Sequence, residues 1–278
     1  MPKNDRTTRR WTGWTSRKPS VLRPFPGLAF EQLEDRVTPT TYSWSGASAG
    51  ATANNNWSNP TNWFGGVAPS GPTALTVSTT QQGGAATSEI QTISVPDQEG
   101  TFRLASTLAT GLSGNLFNAQ SATLQADLQA AFNTIAPFGF GAGNTAVSVG
   151  ASSGGARLVT VTFQGGLANT DVPQTTGTFT PDIDLDFGNL GARRTNFNDL
   201  VGLVVDRITI GGAGYTLNED PNPASNAITL GTGQPSSGAI TVAAGLLNDT
   251  VVSIPMTLAQ NGDQSLTVNS GSRLLLTG

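Results

Sequence analysis

Thr257-Leu258-Ala259-Gln260-Asn261-Gly262-Asp263-Gln264-Ser265-Leu266-Thr267-Val268-Asn269-Ser270-Gly271-Ser272-Arg273-Leu274-Leu275-Leu276-Thr277-Gly278 carries short apolar runs set off by glycine and small polar residues. Ser265-Leu266-Thr267-Val268 alternates with period two, the pattern of a strand that buries one face, and Arg273-Leu274-Leu275-Leu276 continues the rhythm. Upstream stand Pro255-Met256-Thr257-Leu258, Gly238 to Gly245, Ala227 to Gly233 and Arg207 to Gly212, each a short strand pattern. Strand starts fall about ten to twenty residues apart, irregularly, as coils with variable turns would place them. In such a stack each coil buries one strand face on its neighbours, so stability is gained mostly between coils. Residues 179–278 therefore read as a mainly β region of stacked coils, with a β-sandwich of short strands as the alternative.

Composition removes more chemistry than any motif adds. The 278 residues include no cysteine and no histidine. Disulfides, thiolate nucleophiles, Cys/His zinc sites and a Ser-His-Asp triad are thereby excluded. Lysine occurs only at Lys3 and Lys18, so the body holds no catalytic lysine. Charged residues make up only 12% of the chain, and the 34 glycines favour short strands and tight turns over long helices. Residues 1–40 carry eight basic and four acidic side chains, whereas residues 41–278 carry six and fourteen. An acidic body repels polyphosphate, which argues against nucleic acid as a partner.

The candidate sites are few. Asp182-Ile183-Asp184-Leu185-Asp186-Phe187-Gly188 offers Asp182, Asp184 and Asp186 as calcium ligands, a weak candidate because Ile and Leu fill the gaps and Arg193 stands where a terminal Glu is needed. Alternation predicts instead a strand with the three carboxylates on its wet face and Ile183, Leu185 and Phe187 inward. Trp44, Trp57 and Trp63 lie on a Ser/Asn/Gly background and suit either a sugar-stacking platform or the plug of a β stack. Gly211-Gly212-Ala213-Gly214 reads as a turn, Glu219-Asp220 as an exposed loop and Arg193-Arg194 as a solvated turn.

Between these regions, residues 101–178 form a different module. Thr101-Phe102-Arg103-Leu104 is a strand pattern. Ser121 is placed to N-cap a helix with Leu124, Leu128, Phe132 and Ile135 on one face, stopped by Pro137 and Gly139. Ala146 to Val149 and Leu158 to Phe163 then pair as a hairpin through Ser152-Ser153-Gly154-Gly155. At the start of the chain, a basic, proline-broken leader lacks the apolar run of a secretory signal. It is read as disordered, and no run is long enough to span a bilayer.

The sequence carries four resemblances. Phe30-Glu31-Gln32-Leu33-Glu34-Asp35-Arg36-Val37-Thr38-Pro39 resembles the LExLExRxxP-type box near the N-terminus of exported planctomycete surface proteins, which implies an export or sorting address. Tyr42 to Gly46 and Asn56 to Trp63 resemble the opening of bacterial passenger-type β-solenoids. Leu124 to Ala131, Gly141 to Asn144 and Val161 to Gln174 resemble a small module repeated in large surface proteins of the same bacteria. Thr257 to Gly278 resembles the autotransporter-associated β-strand repeat, which implies a right-handed parallel β-solenoid.

The expectation is thus a mainly β protein: a right-handed parallel β-solenoid (β-helix) with a small inserted α+β module and a disordered leader. Residues 1–40 form the leader and box, 41–100 the Trp-rich cap and first strands, 101–178 the inserted module and 179–278 the coils. Its expected role is non-catalytic: an extracellular or cell-surface structural or adhesive protein meeting the cell envelope, an extracellular polysaccharide or protein. No cofactor is expected beyond weak calcium. The rivals are a carbohydrate-binding module using Trp44, Trp57 and Trp63, and a β-helix polysaccharide lyase or hydrolase using Asp182, Asp184 and Asp186. An apolar strand ending at Leu276 suggests a longer family whose further coils or cap cover it, and end-to-end self-association.

Overall fold

The computed structural model describes residues 40–47, 54–137, 139–221, 226–231, 237–259 and 263–277. The leader and the box at 30–39 lie outside the described residues.

Three sheets are wholly parallel, and each takes strands from successive turns of the chain. The first stacks Thr40–Ser43, Ile183–Phe187, Arg207–Ile210, Ala239–Val242 and Ser265–Val268, in that order. The second stacks Thr195–Asn198, Thr216–Glu219, Thr250–Ser253 and Leu274–Leu276. The third stacks Val204–Val205, Ile228–Leu230 and Met256–Leu258. Within the first sheet the register aligns Leu185, Ile208, Ile240 and Leu266, so like side chains lie above one another. Asn196, Leu217, Val252 and Leu276 align in the second, and Val205, Leu230 and Leu258 in the third. Apart from the exposed Leu258, Leu266 and Leu276, the aliphatics of these ladders, with Trp44, Trp57, Trp63, Phe187 and Tyr215, make one continuous core.

The period-two reading finds strands where alternation is strong and misses those where it is weak. Val204–Val205 is only two residues long, and Thr195–Asn198 places Asn196 and Asn198 inward rather than aliphatics. Buried amides pass for loop residues in a sequence. Here Asn198 satisfies itself by donating to the Asn226 carbonyl and accepting from Leu200 N–H.

A second core is antiparallel and wider than the sequence suggests. One sheet runs Thr73–Ala74, Thr176–Pro181, Gly100–Ala105, Phe117–Asn118; the other runs Thr76–Gln81, Ile90–Pro96, Ala156–Phe163, Thr145–Val149. Leu75, Ile93 and Val95 share this core with Leu128, Phe132 and Phe163. By strand pairing and packing the module spans 73–181, between the first and second layers of the parallel stack, and strands grouped above with the cap belong to it. Gly154 and Gly155, at φ of 62° and 79°, make the predicted hairpin turn, a backbone that favours glycine at both positions.

The helix runs Leu124–Phe132, with Leu124, Leu128 and Phe132 buried; Ile135 lies beyond its end and is exposed. Thr123 rather than Ser121 is the N-cap, and its hydroxyl donates to Asp127 instead of capping the backbone. The glutamines on this helix carry a second task. Gln129 accepts from Val147 N–H and donates to the Thr145 carbonyl, while Gln125 accepts from Val149 N–H. They satisfy the outer edge of Thr145–Val149, which would otherwise be open to strand addition. Among the described residues no helix is long and apolar enough to cross a membrane.

Candidate functional site

The tryptophans close the first layer of the parallel stack. Asn59 caps the short turn Pro60–Asn62, which delivers Trp63 to an antiparallel bridge with Trp44. Asn56 bridges Phe197 in parallel and so brings Trp57 over the second sheet. Trp44 and Trp63 meet edge to face with centroids 5.1 Å apart, and Trp57 lies 5.7 Å from Phe187. Each indole N–H has a partner: Trp44 donates to the Arg193 carbonyl at 2.8 Å, Trp57 to Asn196 Oδ1 at 2.7 Å, Trp63 to the Trp57 carbonyl at 2.7 Å. Their exposures are 0%, 0% and 2%. A sugar-stacking platform needs an open ring face, and none of the three has one. That reading of Trp44, Trp57 and Trp63 is corrected: they are the plug.

Arg193 and Arg194 belong to the same plug rather than to a solvated turn. Arg193 donates to the Asn54 carbonyl and to Asn55 Oδ1. Arg194 lies 4.6 Å above the Tyr215 ring and donates to the Gly188 and Asn189 carbonyls. A cation over an aromatic face adds about 0.5–1 kcal/mol.

The aspartate run forms the strand that alternation predicts over Ile183–Phe187, with Asp182 just before it, but its carboxylate face is half-buried rather than wet. Ile183, Leu185 and Phe187 are buried, and the carboxylates point the other way. They do not act together, however. Asp186 accepts from the Ser43 hydroxyl at 3.3 Å, and Asp184 pairs with Arg207 at 3.5 Å. Outward neighbours on one strand stand about 7 Å apart, too far to share one cation without help. Among the described residues no three acidic side chains are placed to hold a metal ion, so the calcium triad Asp182, Asp184, Asp186 is not assembled.

Two carboxylates that sequence reading missed, Glu99 and Asp206, act electrostatically on Asp182 and Asp184. Glu99 comes from the turn between Ile90–Pro96 and Gly100–Ala105, and its carbonyl accepts from Asp182 N–H at 3.0 Å. Asp206 sits between Val204–Val205 and Arg207–Ile210; its N–H donates to the Ile183 carbonyl, and its Oδ1 accepts from Gly238 N–H. Glu99 Oε2, Asp182 Oδ1 and Asp184 Oδ1 are shut off from solvent without a hydrogen-bond partner. Burial, reinforced by Asp206, Glu99 and Asp184, pushes the Asp182 carboxyl up to about 7 against the pull of Arg207. Burial also raises Glu99, Asp184 and Asp206 above the ordinary carboxylate range. No sequence spacing links residue 99 to residues 182–206; only the fold brings them together.

Glu219 and Asp220 are not a free loop. Glu219 ends the strand Thr216–Glu219 and accepts from Asn226 N–H, while Asn56 donates to both Asp199 and Asp220.

Two further features escaped the sequence reading. Glu89 and Gln91, both fully buried, hold the segment 172–175: Glu89 accepts from Val172 N–H at 2.7 Å and Gln91 from Thr175 N–H at 2.9 Å. Gln91 also donates to Glu89 at 2.6 Å. An open cleft of about 530 Å³ lies beside the helix, lined by Asn115, Phe117, Asn118, Ser121, Asp127 and Thr134.

No family model matches the chain, nor does any curated protein or solved structure.

Proposed function

We propose that this protein is an exported scaffold, a structural or adhesive component of the cell surface or extracellular matrix, presenting a right-handed parallel β-solenoid and performing no catalysis. The observation that supports it is the in-register parallel ladder, in which Leu185, Ile208, Ile240 and Leu266 stack across successive coils. Such a stack is stabilised locally, coil against coil, and serves as a rigid rod on which other surfaces are displayed. Its partners on this reading are the cell envelope or an extracellular polysaccharide or protein, and the acidic body disfavours nucleic acid. End-to-end association of two copies belongs to the same reading. Leu258, Leu266 and Leu276 are 57%, 56% and 44% exposed on the last strands, whereas their register partners Leu230, Ile240 and Val252 are buried. The lyase or hydrolase reading has one favourable feature, the gathering of carboxylates beside Arg207, but their most perturbed oxygens are closed to solvent.

The full chain should therefore co-sediment, saturably, with washed bacterial envelopes or with insoluble polysaccharide, and should leave the polysaccharide intact. Protein that stays in the supernatant while reducing ends or unsaturated sugar products accumulate would replace the scaffold reading with the enzymatic one.

A further inference from the structure

Glu89, Gln91 and Thr175 form a buried group whose arrangement exceeds what packing needs. Glu89 and Gln91 are 0% exposed and Thr175 is 1% exposed. Gln91 lies in Ile90–Pro96 of one antiparallel sheet, and Thr175 leads directly into Thr176–Pro181 of the other. The Thr175 N–H donates to Gln91 Oε1 at 2.9 Å, which holds this residue against the carboxamide. Its hydroxyl is left over: Oγ1 is shut off from solvent and has no hydrogen-bond partner among the described residues. A buried hydroxyl without a partner costs stability and is rare in folded proteins. The Gln91 nitrogen, by contrast, is crowded with acceptors: Glu89 Oε1 at 2.6 Å, the Val172 carbonyl at 3.2 Å and the Pro173 carbonyl at 3.4 Å. An amide NH2 has one hydrogen too few for three oxygens, whereas departing ammonia has one for each.

We propose that Gln91 and Thr175 join in an intramolecular ester, which the chain forms on itself in a single turnover and which staples the two antiparallel sheets together. Thr175 Oγ1 attacks Gln91 Cδ. The Oγ1–Cδ bond forms, the Cδ–Nε2 bond breaks, and the nitrogen leaves as ammonia. The hydroxyl proton reaches that nitrogen through Glu89, whose Oε1 already holds it. The charge that develops on Gln91 Oε1 in between is met by the Thr175 N–H. No oxidant, reductant or co-reactant is consumed, and burial keeps out the water that would hydrolyse the product. The hydrogen-bonded network of Glu89 and Gln91 is the state before the bond forms.

Other covalent staples are closed to this module. The chain has no cysteine for a disulfide, and its two lysines, Lys3 and Lys18, stand far upstream in the leader. A bond between residues 91 and 175 removes conformational freedom from the unfolded chain, as any cross-link does. The proposal goes beyond the scaffold reading and does not rest on it, because it concerns the antiparallel module alone.

The test is mass spectrometry of the full chain, folded and incubated before denaturation. The wild-type protein should be lighter than its sequence by one ammonia, and trypsin should yield the peptides 37–103 and 158–193 as one joined species. Mild alkali, which hydrolyses esters and spares amides, should separate them. Thr175→Val keeps the shape, removes the hydroxyl and should show neither the loss nor the link. Thr175→Ser should restore both, and Glu89→Gln should slow ammonia loss about a hundredfold to ten-thousandfold, the range for a positioned acid–base group. A wild-type chain of full mass would overturn the proposal. So would ammonia loss that persists in Thr175→Val, or a loss that maps to any peptide other than the joined pair.

Discussion

Trp57→Ala should lower the stability of the protein by about 3–5 kcal/mol, the range for deleting a buried large aromatic. Trp57 is fully buried, lies between Trp63 and Phe187, and sends its indole N–H to Asn196. The substitution removes a large apolar surface from the top of the stack and leaves a cavity that rigid neighbouring sheets cannot close. It also strips Asn196 of a partner when its amide nitrogen already lacks one. Trp57→Phe separates the two contributions, because it keeps most of the ring and loses the hydrogen bond, at a cost of about 1–3 kcal/mol. Urea unfolding followed by far-UV circular dichroism measures both. A Trp57→Ala protein of unchanged stability that has lost polysaccharide binding would show that the indole faces a ligand rather than the core.

Glu89→Gln, nearly isosteric, should cost about 1–3 kcal/mol, and Glu89→Ala should cost more. Glu89 accepts at both oxygens, from Gln91 Nε2 and from Val172 N–H. A glutamine there must turn its own NH2 group toward one of those donors, so one buried donor loses its acceptor. Alanine abandons both and leaves a void in the second core. Because the network fixes Val172 to Thr175 against the strand Ile90–Pro96, hydrogen exchange should speed up first at Val172 and Thr175. Equal stability of Glu89→Gln and wild type would mean that Glu89 is not an acceptor on both sides.

The legible parts of this chain were those in which neighbouring residues carry the information. Ile183, Leu185 and Phe187 alternate with aspartates, so the strand and its buried face could be read directly, and Gly154-Gly155 announced its hairpin. The limits of the inserted module were not legible, because Ile90–Pro96 looks like any other alternating strand and only its partner, Ala156–Phe163, assigns it to the antiparallel core. Gln125 and Gln129 read as the polar face of a helix, yet they close a sheet edge. The tryptophans were ambiguous for a physical reason: an indole suits a sugar face and a protein core equally, and burial alone decides between them. The electrostatic grouping of Glu99 with Asp182, Asp184 and Asp206 was the least legible, since residue 99 lies far from the others in sequence and only the tertiary fold relates them.

The parallel register of the stack can be measured directly because the chain has no cysteine of its own. Thr241 and Thr267 are register partners on adjacent parallel strands, whereas Leu266, one position away, is the partner of Ile240. In-register neighbours lie within the Cα separation of about 4.4–6.8 Å that a disulfide spans. Thr241→Cys with Thr267→Cys should therefore oxidise nearly quantitatively without change in circular dichroism, while Thr241→Cys with Leu266→Cys should not. Failure of the first pair to close, or equal closure of both, would contradict the in-register parallel pairing on which the scaffold reading rests.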